Sequence, residues 1–317
     1  SNPNMIVLDP FCGSGTVLVE SALHQRHAVG NDINPLAVLL AKVKSKRIEP
    51  RVLNEEVASF LKRTDEKREI GTETPSFPNI EHWFKNYVIK DLSIIRDGIQ
   101  DVENPDVRDF LKVCFSITAL ETSNVDLRSS RFIRVLPTSQ REKHKPNVSS
   151  HFRKKLLESV RKTNLYYRNS HDMIVEVIQG DAQRLPLSDE TVDLIVTSPP
   201  YGEERNTVAY TRWSKLSLYW LGYKQKMIKT LEKGALGGSC TKSLQTPSET
   251  ANKILEEVAK NNPERATEAS PFFFDYCESL KEMYRILKRN GRCCIVVGNR
   301  SIRRLPVSMD AVTVELG

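Results

Sequence analysis

Short hydrophobic runs, each followed at once by polar residues or glycine, divide this chain into predicted strands. They occupy residues 5–8, 28–33, 173–178, 192–196 and 292–297. Continuous runs of β-branched and aliphatic residues are typical of parallel strands that are buried on both faces. The pattern therefore predicts an α/β protein built around a parallel sheet.

Helices are predicted between these strands. One covers residues 17–23, and another covers 36–46 with Asn34 as its N-cap and Pro35 as its first residue. Apolar spacing also predicts helices over 210–221 and 272–287, the second of which ends at Gly291. Strand and helix thus alternate at both ends of the chain, which is the pattern of a Rossmann-like fold.

The middle of the chain, from residue 48 to 172, departs from this alternation. Its aromatic and aliphatic residues keep an approximately helical period, and Asn104-Pro105 is a helix start signal. The aromatic side chains could stack on bases, but helical spacing of this kind favours a buried core. We expect a helical insertion.

Residues 222–270 are rich in Lys, Glu, Ser and Thr and contain Gly237-Gly238. This composition predicts a mobile loop or a small lid.

Composition narrows the class of protein. The chain has 317 residues, 39% of them hydrophobic and 27% charged, and no run approaches the roughly 18 apolar residues of a membrane span. Its six cysteines lack paired CxxC spacing, so neither a zinc site nor a disulfide framework is indicated. Cys293 and Cys294 precede an apolar run and are expected to be buried. We expect a cytoplasmic protein without a metal.

The net charge of +7 is concentrated in one segment. Residues 128–162 contain eleven Lys or Arg and only the acids Glu142 and Glu158, so this segment alone carries +9. A cluster of this kind suits contact with phosphates, although a solvated basic loop is the alternative. We assign the segment to contact with a nucleic-acid backbone through eight cations: Arg128, Arg131, Arg134, Lys143, Lys145, Arg153, Lys154 and Lys155.

The first candidate site follows the strand 192–196. Thr197 and Ser198 are followed by Pro199 and Pro200, which cannot donate to a sheet ladder, and then by Tyr201. Ligands of open α/β sheets bind outside the carboxyl ends of the strands, so Ser198, the Pro199 carbonyl and the Tyr201 ring would face a cleft. The alternative is an ordinary turn.

The second candidate site is the loop from Asp9 to Thr16, which follows the first strand. Gly13 and Gly15 allow a tight turn and close approach to a ligand. A dinucleotide fingerprint would need a third glycine or alanine where Leu18 stands, so NAD is disfavoured.

Two further acids stand at predicted strand ends. Asp32 ends the second strand, where a carboxylate can accept both hydroxyl protons of a ribose. A helix-capping role is the alternative, but Asn34 already supplies that cap. Asp181 follows the third strand, where Gly180-Asp181 would also suit a plain turn.

Together the stretches Asp-Pro-Phe-Cys-Gly-Ser-Gly-Thr (9–16) and Thr-Ser-Pro-Pro-Tyr-Gly (197–202) resemble those of the DNA amino-methyltransferase family. The resemblance covers residues 5–47 and 173–300. It implies a Rossmann-like methyltransferase sheet and the cofactor S-adenosylmethionine, with Asp9, Phe11, Gly13 and Gly15 at the methionyl part and Asp181 accepting from the adenine amine. Ser198 resembles the cytosine-N4 branch, whereas the adenine-N6 branch more often has Asp or Asn there.

The resemblance implies methylation of a cytosine that has been flipped out of double-stranded DNA. Ser198 and the Pro199 carbonyl would accept hydrogen bonds from the amine, Pro200 would fix the loop, and Tyr201 would stack on the base. The alternatives are adenine-N6 methylation, RNA guanine-N2 methylation and a non-catalytic DNA-binding subunit.

These expectations define two domains: a discontinuous catalytic domain over 1–47 and 173–317, and the helical insertion over 48–172. Only about 20 residues follow the last predicted strand, which leaves no room for the antiparallel hairpin that the family's sheet usually carries. We therefore expect a missing segment or a second chain to complete the sheet.

Overall fold

The computed structural model describes residues 4–67, 72–128, 134–202, 210–238, 244–302 and 305–317. Five strands form a parallel sheet in the order β3-β2-β1-β4-β5, and two more form a separate antiparallel pair. The strands are β1 (Ile6–Asp9), β2 (His27–Asp32), β3 (Val175–Gln179), β4 (Val192–Thr197), β5 (Leu287–Ile295), β6 (Arg300–Ile302) and β7 (Leu305–Val307). The chain thus has the Rossmann-like α/β fold that its hydrophobic pattern predicts.

The helices of the amino-terminal half are α1 (Thr16–Leu23), α2 (Pro35–Ser45), α3 (Pro50–Lys67), α4 (Ile80–Trp83), α5 (Asn86–Gln100), α6 (Pro105–Glu121), α7 (Thr138–Lys143) and α8 (Val148–Asn169). Those of the carboxyl-terminal half are α9 (Tyr210–Trp220), α10 (Gln225–Gly234), α11 (Glu249–Asn261), α12 (Pro263–Ile286) and α13 (Met309–Leu316). No helix within the described ranges is both long and apolar enough to span a membrane.

The chain divides into two compact units. The first comprises residues 1–41, 173–211 and 229–317, and the second comprises 42–172 and 212–228. The sheet belongs to the first unit. The second unit is helical, and residues 212–228 group with it.

One face of the sheet is covered by α1 and α2. Leu18 and Ala41 are fully buried there against Ala28 of β2. A Cβ on Gly30 would lie 2.6 Å from Leu18 Cδ1, and one on Gly15 would lie 2.7 Å from the Ala41 Cα. A side chain at either position would force its neighbour to shift, and at Gly15 that neighbour is the backbone of α2.

The other face is covered by the carboxyl-terminal half of α12. Met283 and Ile286 pack with Leu8, Val192 and Ile195 of the two central strands. Because both faces are apolar, β1 and β4 need the near-continuous hydrophobic sequence that predicted them.

The second unit buries its aromatic residues. Trp220 contacts Phe84 and Phe115 edge-on at centroid distances of 5.5 and 5.9 Å, and Phe60 lies 5.8 Å from Phe152. All five rings are at most 2% exposed. The expectation that the helically spaced aromatic side chains of the insertion form a core is confirmed for Phe84 and Phe110, whereas Tyr87 is exposed.

The prediction of a loop or lid over 222–270 was wrong for most of that range. It contains α10, α11 and the start of α12. Ala251, Leu255 and Val258 recur at helical spacing and are buried against α12. The exposed face of α11 is polar, so the overall composition of this range hid its few apolar residues. Residues 239–243 lie outside the described ranges.

The strand at residues 292–297 also differs from the prediction. It begins at Leu287, directly after α12, and has an irregularity before Arg292. Cys293 and Cys294 are exposed, contrary to the expectation of burial, because β5 lies at the edge of the sheet.

A short antiparallel pair of strands follows β5, but it is not the sheet-extending hairpin for which the sequence was expected to leave no room. Strands β6 and β7 pair over three residues each and form their own sheet instead of extending the parallel one. That another segment or chain completes the large sheet stays a prediction.

Candidate active site

The carboxyl ends of β1 and β2 place two aspartates side by side. Asp9 is the last residue of β1 and Asp32 is the last residue of β2, and these strands pair in parallel. Asp32 lies close enough for its charge to act on Asp9 and on the Cys12 thiol. The order of the strands thus brings together two side chains that are 23 residues apart in the sequence.

Asp9 is buried and held by two donors. Phe11 N–H donates to its Oδ1 at 3.1 Å, and the Thr197 hydroxyl donates to the same atom at 2.7 Å. Burial raises the pKa of Asp9 to about 6, the two hydrogen bonds oppose that shift, and Asp32 adds to it. Asp9 therefore changes charge near neutral pH.

Asp32 accepts one backbone N–H on each oxygen. Gly13 donates to Oδ2 at 3.0 Å and Asn34 donates to Oδ1 at 2.8 Å. Burial raises the pKa of Asp32 although both bonds act against it. Asn34 in turn accepts from Leu36 N–H, so it is the helix cap that the sequence predicted.

The glycine loop makes the tight turn that Gly13 and Gly15 predict. Gly13 has φ +48° and Gly15 has φ +80°, both in the left-handed region. Among the described residues, a Cβ on Gly13 would meet only the Phe11 carbonyl, at 4.0 Å, so within that part of the chain the loop is open on that side. The bond from Gly13 N–H to Asp32 ties this loop to the end of β2.

Asp181 stands two residues after β3 and is exposed. Its Oδ1 accepts Gln183 N–H at 2.9 Å, which is the local turn that Gly180-Asp181 suggested as an alternative. Buried Asn31 donates to the carbonyls of Pro10 and Gly180 at 3.1 and 3.2 Å. The loops that carry Asp9 and Asp181 are thereby joined through β2.

Ser198 and Tyr201 are joined directly. Ser198 is exposed just after β4, and its Oγ lies 2.9 Å from the Tyr201 hydroxyl oxygen. Pro199 is buried and Pro200 partly so. Because β4 lies beside β1, the Ser-Pro-Pro-Tyr loop begins one residue after the Thr197 that bonds Asp9.

Sequence reasoning missed three residues of this site. Thr197 bonds Asp9, Asn31 joins two loops, and Gly298 packs on Tyr201. For Thr197 and Asn31 a signal was present, since each is a polar residue at the end of a buried strand. For Gly298 the sequence offered only its position after β5.

The charge of this site suits a cationic ligand. Asp9, Asp32 and Asp181 form no ion pair with any residue that the structure describes. Three carboxylates at neighbouring strand ends therefore lack a cation within that part of the chain, and two of them are buried or partly buried. The chemistry of these side chains fits S-adenosylmethionine, which carries a sulfonium and an ammonium group.

The basic segment lies in the second unit, where part of its charge is neutralised. Arg128 pairs with Asp126, Arg153 with Asp65, and Lys155 with Glu121 and Glu158. Four of the other predicted cations form no ion pair within the described ranges: Arg134, Lys143, Lys145 and Lys154. Arg131 lies outside those ranges.

Lys145, Arg153 and Lys154 line a surface cleft of about 840 Å³ beside the start of α8. Asp91 is the acid in its lining. Its described lining thus combines three cations with one anion.

Comparisons with known proteins find matches for the parts of the chain that carry this site. Residues 1–43, which contain β1, the glycine loop and Asp32, match the family model described as DNA methylase. Residues 118–260 match the model described as RMKL-like, methyltransferase domain. The chain is also 30% identical over 332 aligned residues to the type II methyltransferase M.MvaI of Kocuria varians, covering 97% of this chain and 73% of that protein.

The chain belongs to the DNA amino-methyltransferase family. A second relative, the type II methyltransferase M.MjaII of Methanocaldococcus jannaschii, is 35% identical over 65 residues, which is 20% of this chain and 12% of that protein. No solved structure matches the chain. Membership of this family makes the chain a DNA methyltransferase and implies that it uses S-adenosylmethionine, as the two sequence motifs indicated.

Proposed function

We propose that this DNA methyltransferase transfers the methyl group of S-adenosylmethionine to the exocyclic N4 amine of a cytosine flipped out of double-stranded DNA. The observation that carries the choice of cytosine is Ser198. It presents a hydroxyl, instead of a carboxylate or an amide, at the exposed carboxyl end of β4. This end lies beside the strand that ends at Asp9.

The cofactor would be held at the ends of β1, β2 and β3. Asp9, Phe11, Gly13 and Gly15 would contact its methionyl part, Asp32 its ribose hydroxyls and Asp181 its adenine amine. In support, within the described part of the chain the Gly13 side of the loop is open and each Asp32 oxygen accepts only one hydrogen bond. When bound, this cofactor supplies an electrophilic methyl group on a sulfonium.

The residues after β4 would prepare the amine. The cytosine N4 lone pair is delocalised into the ring, which makes it a poor nucleophile. Hydrogen bonds from its N–H groups to Ser198 Oγ and the Pro199 carbonyl favour a pyramidal nitrogen with a lone pair free to react. Pro200 limits the backbone freedom of the loop, so these acceptors need little reorganisation. The nitrogen loses one of its protons to water after transfer.

Tyr201 would stack on the flipped base. Unstacking and unpairing a base costs a few kcal/mol, and the pocket must offset that cost. Stacking on an aromatic side chain contributes about 1–3 kcal/mol per base. Tyr201 is partly exposed and so can offer one side of its ring.

We also propose that the basic segment contacts the DNA backbone. Arg134, Lys143, Lys145 and Lys154 are the cations that support this assignment best, because acids already neutralise Arg128, Arg153 and Lys155. Arg131 remains part of the proposal on its sequence alone. Neutralisation of phosphates by such cations releases condensed counterions from the DNA.

The test is transfer of a labelled methyl group from S-adenosylmethionine to duplex DNA, followed by separation of the product nucleosides by mass spectrometry. We expect N4-methylcytosine from the wild type and at least about tenfold less from Ser198→Ala, on the scale of a lost hydrogen bond to a reacting group. N6-methyladenine would instead show that adenine is the target. Cofactor binding without transfer would contradict the proposed activity.

A further inference from the structure

Gly298 and Tyr201 lie against each other beyond the ends of β5 and β4. A Cβ built on Gly298 would be 3.3 Å from Cδ2 and Cε2 of Tyr201 and 3.6 Å from its Cγ. Contacts of 3.3 Å are tighter than ordinary van der Waals contacts, so an added methyl group would displace the ring by a few tenths of an ångström. The lack of a side chain at Gly298 therefore leaves the space that the Tyr201 ring occupies.

The backbone of Gly298 does not itself require glycine. Its φ lies outside the left-handed region, unlike those of Gly13 and Gly15. Alanine could adopt the same backbone conformation without strain. The contact with Tyr201 is thus the feature of this position that depends on glycine.

The other end of the ring is fixed by Ser198. The two hydroxyl oxygens are 2.9 Å apart, which is hydrogen-bond distance. Gly298 also follows a chain segment that is tied to β4, because Val296 N–H donates to the Thr197 carbonyl at 2.9 Å. Ring, hydroxyl and glycine therefore form one small unit at the end of the two strands.

We propose that Gly298 and Ser198 hold the Tyr201 ring in the orientation that receives the flipped base, and that the Tyr201 hydroxyl orients the Ser198 hydroxyl toward the amine. The inference rests on the proposed function. Gly298 and the Tyr201 hydroxyl are positioning groups, since they act through the ring and through Ser198.

The hydroxyl pair has a chemical consequence. A hydroxyl has one proton and two lone pairs. When Ser198 donates its proton to the Tyr201 oxygen, the lone pairs of Ser198 Oγ stay free, and one of them can accept an N–H of the amine while the Pro199 carbonyl accepts the other. Without the Tyr201 oxygen, the Ser198 hydroxyl can rotate so that its proton points at the amine nitrogen. Ser198 would then donate to the amine lone pair instead of accepting from an amine N–H.

The position of the ring is tested by a double-mutant cycle on methyl transfer to duplex DNA. We expect Tyr201→Ala to lower kcat/KM for DNA by roughly 10- to 100-fold, the scale of one base stack. Gly298→Ala should lower it about fivefold or more through partial loss of that stack. In the Tyr201→Ala background, Gly298→Ala should change it by less than about twofold, because the ring that it displaces is gone.

The test of the hydroxyl is Tyr201→Phe, which keeps the ring. We expect kcat to fall about 2- to 10-fold, the scale of one hydrogen bond, while KM for DNA stays within about twofold. Tyr284→Phe is the matched control, because Tyr284 is 85% exposed and the same substitution there removes a hydroxyl from the surface. That control should behave as the wild type does.

The dissociation constant of S-adenosylmethionine, measured by calorimetry, checks that each variant is folded and loaded. Unchanged cofactor affinity with lowered transfer supports the inference. Wild-type transfer by both Gly298→Ala and Tyr201→Phe would overturn it and leave the proposed function standing. An equal effect of Gly298→Ala with and without the Tyr201 ring would also overturn it. A wild type that binds cofactor but methylates no DNA would overturn both.

Discussion

Thr197 donates a hydrogen bond of 2.7 Å to Asp9, and this contact joins the end of β4 to the end of β1. Thr197 is the residue before Ser198, and Asp9 opens the glycine loop. The bond is buried, so no water replaces it when it is broken. It therefore couples the loop proposed to activate the base to the loop proposed to hold the cofactor.

Thr197→Val should lower the free energy of unfolding by about 1–3 kcal/mol, because it leaves a buried carboxylate without one of its donors. It should also raise the pKa of Asp9 further, since this hydrogen bond lowers that pKa. Urea denaturation measures the first effect. Thr197→Ser keeps the hydroxyl and is the control. Equal stability of Thr197→Val and the wild type would show that the bond contributes nothing.

Asp9 predicts a pH-dependent cofactor affinity. Its pKa is raised from 3.8 to about 6 by burial, so it is largely protonated at pH 5 and ionised at pH 7. The ionised form attracts the cofactor's ammonium, so affinity should rise about tenfold from pH 5 to pH 7. Calorimetry across this range measures it, and Asp9→Asn should flatten the profile. Asp32, whose charge acts on Asp9, must stay in place for this comparison.

The same shift has the opposite sign for stability. A carboxyl whose pKa is higher in the folded chain binds more protons there, so its contribution to stability decreases as pH rises from about 3.8 to about 6. Asp9→Asn should therefore lose less stability than the wild type over that interval. An identical loss in both proteins would show that Asp9 is not the group responsible.

Asp32→Asn should separate cofactor binding from base capture. We expect about 10- to 100-fold weaker binding of S-adenosylmethionine, because hydrogen bonds to a charged group are worth about 1.5–3 kcal/mol. One amide oxygen remains to accept a backbone N–H, so part of the local structure is kept. Tyr201→Ala should bind the cofactor as the wild type does. Wild-type affinity in Asp32→Asn would refute the ribose assignment.

Lys145 and Lys154 should contribute to the salt dependence of DNA binding. Each phosphate contact adds about 0.9 to the slope of log K against log salt, so Lys145→Gln with Lys154→Gln should reduce that slope by about 1.8. Fluorescence anisotropy with labelled duplex DNA measures it. The control pair is Lys229→Gln with Lys253→Gln, which removes the same charge from exposed lysines of the other unit. Equal slopes for the two pairs would contradict the assignment.

The sequence predicted the strands of the sheet and the positions of its acids, because buried parallel strands have a simple hydrophobic signature. Asp9 and Asp32 end β1 and β2 as expected, since Asp9 directly follows its hydrophobic run and Asp32 is the first charged residue in the other. The partners of these acids were not predictable in the same way. Thr197 meets Asp9 across 188 positions of sequence, and only the strand order β1-β4 brings them together.

The helices α10 and α11 were missed for a different reason. Their buried residues are few and stand among many charged ones. The polar composition therefore led to a prediction of a loop, although the apolar residues have helical spacing. Cys293 and Cys294 show the reverse error, since an apolar sequence led to an expectation of burial on a strand that lies at the edge. The local hydrophobic pattern predicts a strand or helix, but the elements packed against it determine which of its side chains are buried.

The hydrogen bonds of Glu315 predict that the start of α11 loses stability in acid. Its carboxylate accepts from the Ser248 hydroxyl at 2.7 Å and from the N–H groups of Glu249 and Thr250 at 2.5 and 3.1 Å. These bonds, that of Ser248 above all, lower the pKa of Glu315 from 4.5 to about 2. A carboxyl whose pKa is depressed by folding stabilises fully above about pH 4.5 and loses that contribution as pH falls toward 2.

Glu315→Gln should therefore unfold at a lower temperature than the wild type at pH 7, and the difference should shrink as the pH falls below about 4.5. Melting curves from neutral pH down to about pH 3 measure this convergence. Glu176→Gln is the control, because it removes the same charge from an exposed position of β3 in the same unit. A gap between Glu315→Gln and the wild type that stayed constant across these pH values would show that the carboxylate charge is not what holds α11.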